Sequence, residues 1–203
     1  MPGSVLPPGR HWSRVVRHRR WLALLAGWGL AALGATVAFP AQAGDFTVRN
    51  AHTALDRQIY RLDADLGYHL SEAALEALSN GVTLTLVLDI EVYQPRRYLW
   101  DEVVASLEQR NQIRYHALSD QYILRNLNSG SQYAYSSLEM ALRAMGRISA
   151  LPVIDAPLLA DGASYKVRVR SRLDIDSLPV PLRLKAYVSS EWWMDSGWYA
   201  WDL

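Results

Sequence analysis

Cysteine is absent from this chain of 203 residues. That single absence removes disulfide bridges, thiol nucleophiles, iron–sulfur clusters and cysteine-ligated zinc. Histidine is scarce too: five occur in all, and only His52, His69 and His116 lie beyond residue 43. None stands in a metal-binding spacing such as H-E-x-x-H, so zinc has no support. There is no G-x-S-x-G nucleophile elbow and no phosphate-binding glycine loop, and nothing calls for a cofactor. Long apolar runs are lacking everywhere except in one place.

That place is Trp21 to Phe39, preceded by Arg17-His18-Arg19-Arg20 and followed by Ala41-Gln42-Ala43. A charged start, an apolar middle and a small-x-small exit describe a secretory signal peptide, with Ala41 and Ala43 as the signal peptidase site. The expectation is export by the general secretory route to the periplasm. The run is 19 residues long, close to the roughly 20 that span hydrocarbon. The alternative is therefore an uncleaved inner-membrane anchor facing the periplasm. Arg19-Arg20 also suggests a twin-arginine signal, but its flanking residues fit poorly.

The division falls at residues 1–43 and 44–203. The second part suits one compact domain, of a size that buries roughly 70% of its unfolded surface. The leader also hides the charge of that domain. Five arginines and no acidic residue precede residue 44, so a chain of net charge +1 contains a domain with sixteen basic and twenty acidic side chains, a net of −4. Such a balance gives no overall electrostatic case for nucleic acid or anionic lipid. Membrane contact is expected only through the N-terminal segment, if it is uncleaved.

Within the domain, Tyr60 to Leu70, Val82 to Tyr93 and Tyr165 to Ile175 alternate apolar and polar residues at the period of half-buried strands. Ser71 caps a short helix over Glu72–Leu78 that ends at Asn80-Gly81. A second helix follows Ser136-Ser137-Leu138-Glu139, with Leu138, Ala141, Leu142 and Met145 on one face. Arg97 to Leu127 reads as two strands joined at Glu108 to Gln112. Asn128-Ser129-Gly130-Ser131 marks a hairpin turn into a short strand through Tyr133 and Tyr135, and Leu178-Pro179-Val180-Pro181 reads as a break. The expected fold is mainly β: an antiparallel β-sandwich or curved sheet with two short helices. An eight-stranded outer-membrane barrel competes, but the charged strand faces oppose it.

Four sets of residues carry candidate chemistry. The tail from Glu191 to Trp201 holds Trp192, Trp193, Trp198 and Trp201, a possible platform for stacking sugars or docking a protein; the bland alternative is core packing. As a strand, the tail would put Trp192 and Trp198 on one face and Trp193 and Trp201 on the other. Arg168, Arg170 and Arg172 form a stripe able to hold phosphate or carboxylate; the alternative is pairing with Asp63, Asp65, Asp89 or Glu91. Asp63 and Asp65 lie about 7 Å apart on one strand face, a separation suited to an inverting glycosidase pair or a calcium site, and equally to a solvated polar face. His116-x-x-Ser119-Asp120 contains triad residue types, though neighbours in sequence seldom converge as a triad does.

Several of these segments carry a resemblance. Gly81-Val82-x-Leu84, Arg97-Tyr98-x-Trp100-Asp101, Tyr115-His116-Ala117-Leu118-Ser119-x-Gln121-Tyr122, Leu178-Pro179-x-Pro181-Leu182-Arg183-Leu184 and Trp193-x-x-Ser196-x-Trp198-x-x-Trp201 are together similar to the bacterial domain-of-unknown-function family 4390. Its members are often labelled proline-rich signal peptide proteins. The resemblance implies an exported Gram-negative protein with no assigned activity, whose gene often stands beside a sensor histidine kinase. The functional expectation is a non-enzymatic envelope domain binding a protein partner, with that kinase as a candidate. The alternative is a peptidoglycan-binding protein or envelope hydrolase.

Overall fold

The computed structural model describes residues 45–203. The expected leader and its Ala41/Ala43 site lie outside the described residues. Among those described, no helix is long and apolar enough to cross a membrane.

Nine strands among the described residues form two antiparallel sheets. The small sheet has the order β1 (Asp45–Asp56), β2 (Ile59–His69), β7 (Arg147–Asp155). The large sheet runs β6 (Gln132–Tyr135), β5 (Gln121–Asn126), β4 (Glu102–His116), β3 (Leu84–Gln94), β8 (Lys166–Leu173), β9 (Tyr199–Asp202). The mainly β expectation holds, and the two sheets pack as a sandwich over part of their length.

Alternation explains the packing. Along β3, Leu84, Leu86, Leu88, Ile90 and Val92 all point inward and are buried. The half from Leu88 to Val92, with Val167 and Val169 of β8, meets Leu62, Ala64 and Leu66 of β2 and Val153 and Ile154 of β7. The other half, with Ile113, Leu124 and Leu173, is covered by helices α1 (Glu72–Ser79), α2 (Leu138–Gly146) and α3 (Val180–Val188). One inner face is thus closed by a sheet at one end and by helices at the other. Burying five such aliphatic side chains contributes on the order of 10 kcal/mol before conformational entropy is counted.

The helix boundaries follow local chemistry. The Ser71 hydroxyl accepts the Ala74 N–H to cap α1, and Gly81 closes that helix at φ 81°, a conformation only glycine adopts without strain. At α2 the Ser137 hydroxyl accepts the Met140 N–H. Glu139 turns to Arg143 on the next turn instead of completing a capping box.

Two readings of the sequence are corrected. Glu108 to Gln112 does not join two strands: β4 continues unbroken through it, paired residue by residue from Asp89↔Glu108 to Thr85↔Gln112. Its polar side chains resemble a turn in sequence, but β4 lies beside the ion-paired outer face, where polar residues are at home. A third α-helix joins the two expected, since Pro179 and Pro181 start α3 where the sequence predicts a break. Proline's missing N–H costs nothing in a first helical turn, where no intrahelical acceptor exists.

Gly146, at the end of α2, sits so close to β2 that a Cβ there would stand 2.3 Å from the Leu66 carbonyl oxygen. Gly146→Ala should therefore lower stability by about 2 kcal/mol or more, read as a reduced urea midpoint. An unchanged midpoint would show that α2 does not seat directly on β2.

Candidate functional site

The arginine stripe alternates outward from β8 against the acids of β3. Register places Arg168 opposite Glu91 and Arg170 opposite Asp89, and the side chains make the matching contacts. Arg168 donates Nε to Glu91 at 2.7 Å, while Asp89 Oδ2 accepts from Arg172 Nε at 2.9 Å and from Arg170 at 3.3 Å. A second rank of carboxylates stands behind: Asp101 at 4.0 Å from Arg168, Asp195 at 3.7 Å from Arg170 and Glu108 at 3.8 Å from Arg172. The hydrogen bond to Asp89 raises the Arg172 pKa further above its ordinary value. Each arginine is already opposed by carboxylate, so an incoming anion would have to displace a partner.

Trp198 lies on the same face, with the guanidinium groups of Arg168 and Arg170 each 4.8 Å from its ring centroid. Arg168 also lies 4.7 Å from the centre of Tyr93. These cation–π contacts engage the ring surface that a sugar would use. Beneath the ladder, Val87 is fully buried on the outer side of β3. It stands in register between Arg110 and Arg172, whose aliphatic stems flank it. The face is a latched surface of alternating charge.

The tail does not form one continuous strand. Ser190–Trp192 is a 3₁₀ turn, Asp195 makes an isolated antiparallel bridge to Arg172 of β8, and Tyr199–Asp202 joins the sheet as β9. Trp192 is 1% exposed and Met194 2%, and the sulfur of Met194 accepts the Ser71 N–H at 3.4 Å. Trp193, between them, is 64% exposed and donates its indole N–H to the Ala186 carbonyl of α3 at 3.2 Å. Trp201 is half-buried and donates to the Thr53 hydroxyl at 3.1 Å. Trp192 is a core residue, Trp201 a bridge between the sheets, Trp198 part of the ladder. Only Trp193 presents most of its ring to solvent.

The remaining sequence candidates disperse. Asp63 accepts the Ala150 N–H at 3.1 Å and Asp65 pairs with Arg49 at 3.4 Å, both on the small sheet. His116 Nδ1 and the Ser119 hydroxyl are 3.0 Å apart in the exposed β4–β5 turn, but Asp120 accepts from the Tyr115 hydroxyl instead of His116. Among the described residues no carboxylate hydrogen-bonds that imidazole, so a triad relay is not assembled there. Among the described residues no group of three or more His, Asp or Glu is placed to hold a metal ion. Burial raises the Tyr68 pKa to about 12, partly opposed by its hydroxyl contact with Ser171.

Two exposed apolar surfaces emerge that residue-type motifs did not signal. The first is the outward side of α3: Val180, Leu184, Tyr187 and Val188 are all exposed, Val188 at 88%. Their spacing of i, i+4, i+7 and i+8 makes one stripe, and the exposed Trp193 is bonded to the same helix through the Ala186 carbonyl. The opposite side of the helix is anchored by the fully buried Ala186. The spacing is present in the sequence, but Pro179 and Pro181 mask it by resembling a break. The second surface is the β3–β4 hairpin tip, residues 95–101, where Tyr98 is 88% and Trp100 93% exposed.

The family described as Domain of unknown function (DUF4390) matches residues 43–202, and the chain belongs to it. No curated protein and no solved structure matches the chain.

Trp192 and Trp193 should separate cleanly on mutation. Trp192→Ala is expected to cost about 3–5 kcal/mol and Trp193→Ala less than about 1 kcal/mol, by chemical denaturation. Equal losses would contradict the division of the tail into core and surface.

Proposed function

We propose that this member of the DUF4390 family is an exported envelope domain without catalytic activity of its own, which docks a protein partner through the outward side of α3. The observation that carries this reading is the stripe Val180, Leu184, Tyr187, Val188, exposed along one side of the helix. Contiguous exposed apolar surface on a folded domain marks an interaction site, and Tyr and Trp are the residue types that dominate binding energy.

The rim of the stripe suits a protein. Arg183 and Lys185 stand on the helix, while Asp176 and Glu191 stand on either side of it. The Asp176 carboxylate accepts from the Tyr187 hydroxyl, and its backbone carbonyl accepts from Arg183 at 2.9 Å. An apolar centre with a charge-balanced polar rim is the ordinary anatomy of a protein interface. The periplasmic part of a membrane sensor histidine kinase is the candidate partner that the family resemblance suggests. Sugar stacking on the tail, the reading behind a glycan-binding or hydrolase role, has less support, because the Trp198 ring is already engaged by two arginines.

The test is crosslinked capture from envelope extracts with the full chain and with the double variant Leu184→Glu/Val188→Glu. Direct titration of the kinase's purified periplasmic part would accompany it. A partner held by the native chain and lost at least about tenfold by the variant, with unchanged circular dichroism, is the expected outcome. No reproducible partner, or one captured equally by both, would overturn the reading.

A further inference from the structure

We propose that the β3–β4 hairpin tip is a membrane-contact loop that seats Tyr98, Leu99 and Trp100 in the interface of an anionic bilayer. The tip is carried by a rigid hairpin whose pairing persists to Gln94↔Glu102, and Arg96 pairs with Glu102 at its base. Beyond that pair the chain turns out three consecutive large residues, with Leu99 66% exposed between the two aromatics. None of the three belongs to either buried cluster.

Area and charge decide the occupant. Three such side chains offer on the order of 400 Å², about half of the roughly 800 Å² that each partner of a stable protein complex buries. A second copy or a globular partner is poorly served by so small and convex a surface. A bilayer interface needs no complementary shape, and it favours Trp and Tyr at headgroup depth with Leu below.

Arg96 and Arg97 balance Asp101 and Glu102 in number, but not in pairing. Glu102 is matched by Arg96, and Asp101 lies 4.0 Å from Arg168. Arg97 has no carboxylate within 4.0 Å among the described residues, and its guanidinium lies 5.9 Å from the Tyr98 ring centre. An arginine beside exposed aromatics reaches phosphate while its stem stays in the apolar layer.

The tip and the α3 stripe lie at opposite ends of the sandwich. Leu173 of β8, where the chain turns toward α3, pairs with Leu86, whereas Lys166 pairs with Tyr93 beside the tip. The eight-residue span from Leu86 to Gln94 corresponds to roughly 26 Å of strand. Both surfaces can be occupied at once.

The experiment uses residues 44–203, which contain both buried clusters in full and omit the apolar leader, so vesicle binding cannot come from the leader. The probe is sedimentation with phosphatidylcholine vesicles containing about one-third phosphatidylglycerol, in parallel with pure phosphatidylcholine. Preferential binding to the anionic vesicles is expected, weakened by salt. Tyr98→Ser/Trp100→Ser should lower binding about tenfold, and Trp100→Phe should keep binding but remove most of the fluorescence quenching by brominated lipid. Leu184→Glu/Val188→Glu should bind vesicles normally, which separates this proposal from the partner-docking reading. A native domain that stays in the supernatant, tip variants that bind as well as native, or a loss of vesicle binding in the α3 variant instead would overturn it.

Discussion

The pairing of β3 with β4 on one side and β8 on the other organises everything else in this domain. Its inner face meets a sheet along one half and helices along the other. Its outer face is locked by the carboxylates of Asp89 and Glu91 against three arginines of β8. Exposed ion pairs contribute little singly, but these are partly sheltered, share acceptors and lie in register with a backbone ladder. Their effect is to fix the slide of β8 along β3, and with it the positions of both ends of the sheet.

Those two ends carry the surfaces of interest. At one, the chain leaves β8, passes through a 3₁₀ turn at Ile175–Ser177 and enters α3 with an apolar stripe facing out. At the other, the β3–β4 hairpin projects Tyr98, Leu99 and Trp100. The middle of the molecule is spent on its own stability: the arginines are paired, Trp198 is engaged and Trp192 is buried. Polar residues that resemble a binding site in sequence here pair with one another, although Arg170 Nε is buried without a hydrogen bond, while the exposed apolar residues lie at the two ends of the sheet.

Period-two alternation made β2, β3 and β8 legible, and capping chemistry made α1 and α2 legible, because each depends on neighbours in sequence. What stayed hidden depends on tertiary context. The β1–β2 turn is built from Arg57 and Gln58, both at positive φ, so it lacks the Asn-Gly or Asp-Gly signal that announces such turns. The polar stretch of β4 resembles a loop until its pairing with β3 is known. Pro179 and Pro181 read as a stop, although proline equally begins a helix. Of the candidate residues, the tail tryptophans were found by composition alone. Whether each is core or surface was set by the 3₁₀ turn that interrupts their alternation.

The central claim is that this domain engages its surroundings at its two ends and not across its arginine face. Amide hydrogen exchange of the domain, measured with and without native envelope membranes, tests it most directly. The account predicts new protection confined to residues 95–101 and to α3 with Trp193, with β3 and β8 unchanged. Protection centred on Arg168 to Arg172 and Trp198, with both ends unaltered, would contradict it.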